Sequence, residues 1–247
     1  MKQNYKFTIA YDGSRYYGWE HQPNTELTVQ GQLEIAMKAL TGEFVEIIGA
    51  GRTDAGVHAK GMVANARITT RLSDLKIRDF LNQKLPEDIR ILDVRRAAEG
   101  FHSRYKAVGK TYCYTCYTGS LKPVFRRKYV HILEEKPEIE RMKRAAAHLI
   151  GSHDFASFCA NPEEMKSTVR IVDWIRIEEE GDYLSMTFHG TGFLQYMVRI
   201  LSGTLIEVGL GRRDPDSIPE LIRAKDRTKA GFTAPAKGLT MIKVDYN

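Results

Sequence analysis

The chain has 247 residues, 43% hydrophobic and 28% charged, the balance of a soluble globular protein able to bury one or two sizeable cores. That composition excludes disordered, collagen-like and fibrous classes; no apolar run approaches the roughly 18 residues of a membrane span, and the opening MKQNYKFTIAYDG alternates like a strand instead of carrying a signal-peptide core, so a cytoplasmic protein is expected. Lys+Arg 37 against Asp+Glu 31 gives a formal charge of +6, which permits a polyanionic partner without demanding one, and three cysteines point to free thiols in a reducing compartment, not to disulfides.

Residues 5–11 predict a strand with Tyr5, Phe7, Ile9 and Tyr11 on one face before the Asp12-Gly13-Ser14 turn. Val29, Leu33, Ala36, Met37 and Leu40 recur at helical spacing, and Gly42 is a natural stop. Residues 43–48 are β-rich and break at Gly49-Ala50-Gly51, and a turn-rich stretch leads to a strand over 62–68. Ser73 can cap a helix carrying Leu75, Ile77, Phe80, Leu81 and Leu85, which Pro86 ends, and a strand returns over 89–94. Residues 106–118 form a long tyrosine-rich strand. Pro137 stands at the start of a helix with Ile139, Met142, Ala146 and Leu149 on one face. Residues 169–177 and 183–189 flank Glu180-Gly181-Asp182 as a hairpin, 193–208 is apolar enough for a buried helix, Asp214-Pro215 opens a short helix, and 239–246 alternates as a closing strand.

Helices alternate with strands, and the hairpin signal opposes a purely parallel sheet. The expected fold is therefore α+β: two similar α/β halves, 1–105 and 106–247, sharing a mixed, largely antiparallel central sheet flanked by helices. A cleft between the halves is the expected place for a site.

Residues 49–61 read GAGRTDAGVHAKG, a polar, glycine-rich loop holding an acid, two bases and a histidine. A dinucleotide fingerprint would need a glycine where Asp54 stands and a helix afterwards, but a strand follows. A Walker loop would need lysine after its second glycine, where this chain has Val57. Loop chemistry alone leaves open a demanding turn whose Arg52 and Asp54 simply pair in solvent.

GRTDAGVHA closely resembles the signature of the tRNA pseudouridine synthase A family, and further blocks occur in that family's order: TVQGQLE early, FHSR at 101–104, KTYCY at 110–114, HDFASF at 153–158, YMVR at 196–199 and RTKAGFTAPAKGL at 227–239. The resemblance implies isomerisation of uridine to pseudouridine in the anticodon stem-loop of tRNA, at nucleotides 38, 39 and 40, with the loop aspartate, Asp54, as nucleophile. That reaction breaks an N-glycosidic bond and forms a carbon–carbon bond from C5 to C1′, oxidising nothing, so neither cofactor nor metal is expected. A carboxylate is the minimum tool. Asp54 needs a cationic partner to stay ionised against desolvation: Arg52, two positions earlier, is one candidate, and the resemblance favours Arg199, which would leave Arg52 for RNA phosphates or the flipped nucleotide. A stacked uridine must swing out to be reached, and Tyr112 is the aromatic face the resemblance places against the uracil. Leu239 either lines the pocket beneath the base or is a core leucine opening the last strand. A homodimer with tRNA as partner is implied, and no membrane.

Cys113 and Cys116 spell C-x-x-C, but residues three apart on a strand face opposite sides, which opposes a metal or redox reading. The histidines form no paired ligand spacing, so His58, His102 and His153 are read as polar loop residues or RNA contacts. Glu20 stands where the family usually has glutamine, and Met62 and Asn65 also depart from its pattern, with altered RNA contacts as the expected consequence. The alternative function is an RNA-binding protein of the same fold without catalysis.

Overall fold

The computed structural model describes residues 2–247. Contacts divide the chain into two compact units, Met1–Val108 with Met241–Asn247, and Gly109–Thr240, so the closing residues are counted with the N-terminal unit. Ten strands and five α-helices are found among the described residues, in an α+β fold whose strand pairs are mostly antiparallel.

In chain order come β1 (Gln3–Tyr11), α1 (Val29–Thr41), β2 (Ile48–Gly49), β3 (His58–Ile68), α2 (Asp74–Lys84) and β4 (Ile89–Arg96). Tyr5, Phe7, Ile9 and Tyr11 are all buried, as their period-two spacing requires of a strand with one core face. The Thr28 hydroxyl accepts from the Gly31 N–H to open α1, and Gly42 closes it at φ +80°, where a β-carbon would cost about 1–2 kcal/mol. The Ser73 hydroxyl caps α2 through the Lys76 N–H; of its expected apolar face, Ile77, Leu81 and Leu85 are buried while Leu75 is exposed. The hydrogen-bonded order is β4-β1-β3-β10, where β10 is the closing strand Leu239–Tyr246, with β2 on the far end of β3, and β1 runs antiparallel to both neighbours, Phe7 standing opposite Ala64 and Val94.

The second unit carries β5 (Ala107–Tyr117), β6 (His131–Ile132), α3 (Ile139–Ala147), β7 (Gly151–Asp154), β8 (Val169–Glu180), β9 (Tyr183–Gly190), α4 (Met197–Gly209) and α5 (Ile218–Ala224), and the chain ends with β10 (Leu239–Tyr246). The order here is β5-β9-β8-β7, all antiparallel, with β6 parallel to β5. The β8–β9 hairpin closes on Gly181 at φ +58°, with Glu180 opposite Tyr183.

Three segments differ from expectation. Within 43–48 only Ile48 enters a ladder, although Val45 and Ile47 are buried; side chains take the place of strand partners, the Gln30 amide donating to the Ile47 carbonyl and the Ser103 hydroxyl to that of Ile48. The turn after β2 is shorter than the glycines and charges predict. β3 already begins at His58, because that ring is buried and Ala59 pairs with Tyr11. The buried helix starts at Met197 and not near Phe193, since Tyr196 takes the left-handed conformation (φ +59°), which no helix interior tolerates.

Candidate active site

The loop from Ala50 to Val57 is held in place by the segment between β1 and α1. The Trp19 N–H donates to the Thr53 carbonyl at 3.0 Å and the Gly56 N–H to the Tyr16 carbonyl at 3.3 Å. Tyr11 and Thr53, both buried, share a hydroxyl–hydroxyl bond of 2.8 Å. Backbones come so close that side chains cannot fit between them: a β-carbon on Gly13 would stand 2.0 Å from the Val57 carbonyl oxygen, and one on Gly18, itself at φ +95°, 2.7 Å from that of Thr53. The clamping segment is itself fastened, since the Tyr16 hydroxyl donates to Asp88 at 2.6 Å and Arg15 forms an ion pair with the same carboxylate. Within the loop, the Val57 N–H donates to the Asp54 carbonyl at 3.1 Å, a turn that sets the half-buried Asp54 side chain between two anchored residues, Thr53 and Val57.

Arg52 is exposed and ion-paired with Glu20 at 2.5 Å. Both line a cavity of about 220 Å³ with Trp19, His102, Arg104 and Tyr105. The FHSR segment reaches this cavity because Ser103 is fixed on three sides. Its N–H donates to the Asn65 side-chain oxygen (2.8 Å), its hydroxyl to the Ile48 carbonyl (2.5 Å), and its carbonyl accepts from the Tyr246 hydroxyl (2.7 Å). Asn65 in turn donates to Asn4, whose amide donates to the carbonyls of Ala98 and Phe101. With Ser103 buried, its neighbours turn outward, and the His102 and Tyr105 rings meet at a tilt of 30° with centres 4.2 Å apart.

Met62 and Asn65 are therefore interior residues: Met62 is fully buried and Asn65 works in the amide network, so neither offers a surface to RNA. Glu20 is different, because it holds Arg52. His58 is also a correction to the polar-loop reading; it is buried in β3, where its Nδ1 accepts from the Gly13 N–H at 3.0 Å and lies 3.1 Å from an Asp12 carboxylate oxygen. His102 accepts from the Arg104 and Tyr105 N–H groups, and His153 bonds the Ile150 carbonyl at 2.9 Å.

The other expected site residues belong to the second unit. Tyr112 is buried on β5, edge-on to Phe193 at 5.4 Å. Tyr114, on the same face, donates to the Pro235 carbonyl at 3.0 Å, and burial pushes its hydroxyl's pKa well up. Arg199, half-buried on α4, donates through Nε to the Ala234 carbonyl at 2.7 Å and lies 4.9 Å from the Tyr196 ring centre. The RTKAGFTAPAKGL block is a strap along α4: a β-carbon on Gly203 would stand 1.9 Å from the Phe232 carbonyl, and the Gly231 N–H donates to Thr204 at 3.0 Å. Leu239 is buried where β10 opens. Cys113 and Cys116 lie on β5 and all three cysteines carry free thiols, with Cys116 pushed up by burial. Among the described residues no cluster of three or more His, Cys, Asp or Glu side chains could hold a metal ion, and no helix is long and apolar enough to cross a membrane.

Sequence reasoning missed the clamp, although its signal was present: Gly13 and Gly18 frame the SRYY stretch, and only the first was read as a turn. It also missed the Asn4–Asn65–Ser103 network, because three polar residues far apart in sequence carry no joint pattern.

The sequence model of the family described as tRNA pseudouridine synthase matches residues 8–106 and 145–247. A tRNA pseudouridine synthase A of Clostridium kluyveri is 43% identical over 99% of this chain and 100% of its own length, and a tRNA pseudouridine synthase A 2 of Clostridium perfringens is 42% identical with the same coverage. A tRNA pseudouridine synthase A 2 of Bacillus cereus is 42% identical over 98% of this chain and 99% of its own. The chain belongs to the tRNA pseudouridine synthase family, a family of isomerases.

Proposed function

We propose that the protein isomerises uridine to pseudouridine in the anticodon stem-loop of tRNA, at nucleotides 38, 39 and 40, with Asp54 as the nucleophile. The observation that carries this reading is the clamped loop: a carboxylate fixed between buried Thr53 and Val57, two positions along the chain from Arg52, which lines a cavity with His102, Arg104 and Tyr105. Attack needs a carboxylate whose position is settled before the substrate arrives. In the reaction the N1–C1′ bond breaks, the uracil turns, C5 bonds to C1′ and the proton displaced from C5 is balanced by one on N1. Nothing else enters or leaves.

Arg52 is assigned to RNA phosphate or the flipped nucleotide, Tyr112 to the face of the uracil, Arg199 to charge stabilisation of the reacting carboxylate, and Leu239 to the floor under the base. A homodimer in the cytoplasm is the proposed working form, with full-length tRNA as its partner. The +6 charge per chain supports an anionic partner.

The test is incubation of purified protein with an unmodified tRNA transcript, without added cofactor or metal, followed by chemical mapping of pseudouridine. Modification at positions 38–40 is expected. Asp54→Asn should keep fold and tRNA binding while losing at least about 100-fold in turnover, near 3 kcal/mol in the barrier. Turnover above about one per cent of the unaltered protein would remove Asp54 from the nucleophile's role. Tight tRNA binding with no pseudouridine at any position would leave an RNA-binding protein without catalysis, and sedimentation as a monomer would overturn the dimer.

A further inference from the structure

The segment between β5 and β6 has no part in the site described above, yet its surface is unusual. From Thr118 to Leu133 the sequence contains no acid and contains Lys122, Arg126, Arg127 and Lys128. Three apolar side chains stand among these cations facing water: Leu121 is 81% exposed, Val124 64% and Phe125 95%. A phenylalanine so exposed is normally drawn inward, so its position calls for a partner.

The loop is built to hold that posture. The Tyr117 hydroxyl donates to the Leu121 carbonyl at 2.7 Å, the Arg126 N–H to that of Pro123 at 3.0 Å, and the Tyr129 N–H to that of Arg126 at 2.8 Å. Its base is tied to the β8–β9 hairpin by the Thr118 N–H, which donates to the Asp182 carbonyl at 2.9 Å. The Arg126 guanidinium rests 4.8 Å from the Tyr183 ring centre, and Arg127 donates to the Val124 carbonyl. Two tight turns therefore present Phe125 next to two ordered arginines, Arg126 and Arg127. One carboxylate, Asp182, lies at the foot of the loop, 3.3 Å from the Tyr117 hydroxyl.

Two kinds of partner would cover such a face. A second copy using the same patch about a two-fold axis would set Lys122, Arg126 and Arg127 against their own counterparts, a like-charge contact with no acid on the segment to relieve it. An RNA meets every feature at once, since cations take phosphates and an exposed aromatic face takes an unstacked base. A base inside a duplex is already stacked on its neighbours and offers no face, which restricts the partner to an unpaired stretch.

We propose that the 119–129 loop is a second RNA-contacting element, in which Lys122, Arg126 and Arg127 bind phosphates and Phe125 stacks on an unpaired tRNA base other than the reacting uridine. This rests on the reading of tRNA as substrate, and it is tested by binding, separately from turnover. Affinity of an unmodified tRNA transcript is measured by fluorescence anisotropy across a salt series, for the unaltered protein, Phe125→Ala and the triple variant Lys122→Ala, Arg126→Ala, Arg127→Ala. Thermal melts check that the variants, all at exposed positions, stay folded.

Phe125→Ala is expected to weaken binding about tenfold with the salt slope unchanged, because stacking releases no counterions. The triple variant should make the slope of log affinity against log salt shallower by about 2–3, one increment per lost phosphate contact. Turnover at saturating tRNA should stay within about twofold for both, since only binding away from the reacting centre is removed. Unchanged affinity and slope in both variants would overturn the proposal while leaving the isomerase reading intact. So would a Phe125→Ala protein that dissociates from dimer to monomer with undiminished tRNA affinity, which would give the face to a second copy. An unaltered protein that binds tRNA but makes no pseudouridine would sink the activity and leave the loop's contribution measurable; one that does not bind tRNA would sink both.

Discussion

Gly13→Ala is the sharpest test of whether the clamp positions Asp54. Gly13 does not take a positive φ, so an alanine brings no backbone strain, and the whole effect comes from one added methyl group. That β-carbon would stand 2.0 Å from the Val57 carbonyl oxygen, so reaching an ordinary contact of 3.4 Å requires the two backbones to part by about 1.4 Å. No flexible side chain can absorb the movement, because the clashing atom is main chain. The Val57 N–H closes the turn on the Asp54 carbonyl, so a shift at Val57 passes directly to the acid. Overpacking of this kind costs about 1–3 kcal/mol of stability, and a displacement of about 1 Å at a reacting group costs on the order of 100-fold in rate. Gly100→Ala is the control: nothing lies within 4 Å of its added carbon and its φ is not positive, so turnover should be unchanged and stability equal or higher by up to about 1 kcal/mol. Single-turnover pseudouridine formation on tRNA, normalised to folded protein by circular dichroism, reads both effects. Full turnover by Gly13→Ala would refute the reasoning, whether or not the melting temperature falls, because the loop would then tolerate displacement without loss of chemistry.

Glu20→Gln removes the carboxylate that holds Arg52, so tRNA affinity should rise several-fold and the salt slope steepen by up to about 1; unchanged binding would show that the ion pair does not compete with phosphate. Asn65→Ala strands the buried Ser103 N–H, at a cost of about 1–3 kcal/mol seen as a lower denaturant midpoint at constant slope; an unchanged midpoint would remove the network from the stability of the first unit. Burial, helped by Lys237, lowers the pKa of His131, so the folded state favours its neutral form. The stability this contributes is full above about pH 6.5 and is lost as pH falls through the lowered folded value; melts over that range in His131→Phe should show a weaker acid dependence, and an identical dependence would refute the assignment.

Elements with one dominant period were legible in the sequence, and those whose backbone is satisfied by side chains were not. β1 and α1 announce themselves, the first by aromatic alternation and the second by Thr28 and Gly42 at its ends. The stretch 43–48 has the same β-rich composition as a strand, but Gln30 and Ser103 supply partners from elsewhere, and no local pattern records a donor 17 or 55 residues away. The start of α4 was misplaced for a related reason: Phe193 and Leu194 are as apolar as the helix, and the left-handed turn at Tyr196 that delays it leaves no mark on hydropathy. For the proposed site, the loop and its acid stand out in the sequence as charged residues among glycines, whereas the clamp was legible only as two glycines whose need for close approach appears once Val57 and Thr53 lie against them.

The blocks that carry the family resemblance divide accordingly into residues that can do chemistry and residues that make room. In GRTDAGVHA, Thr53 and His58 are buried and bonded to Tyr11 and Gly13, so they anchor the loop, while Arg52 and Asp54 are the charged members left near solvent. In FHSR, Ser103 is bound on three sides, and Arg104 is turned toward the cavity as a result. In the strap along α4, Gly231 lies against Thr204, too tightly for any side chain, while Ala234 accepts from Arg199. A chain that kept Arg52 and Asp54 but carried larger residues at Gly13 and Gly18 would therefore preserve the signature and lose the geometry. With Asp54 in its proposed role, competence for isomerisation is better read from the acid together with the glycines that face its loop than from the loop alone.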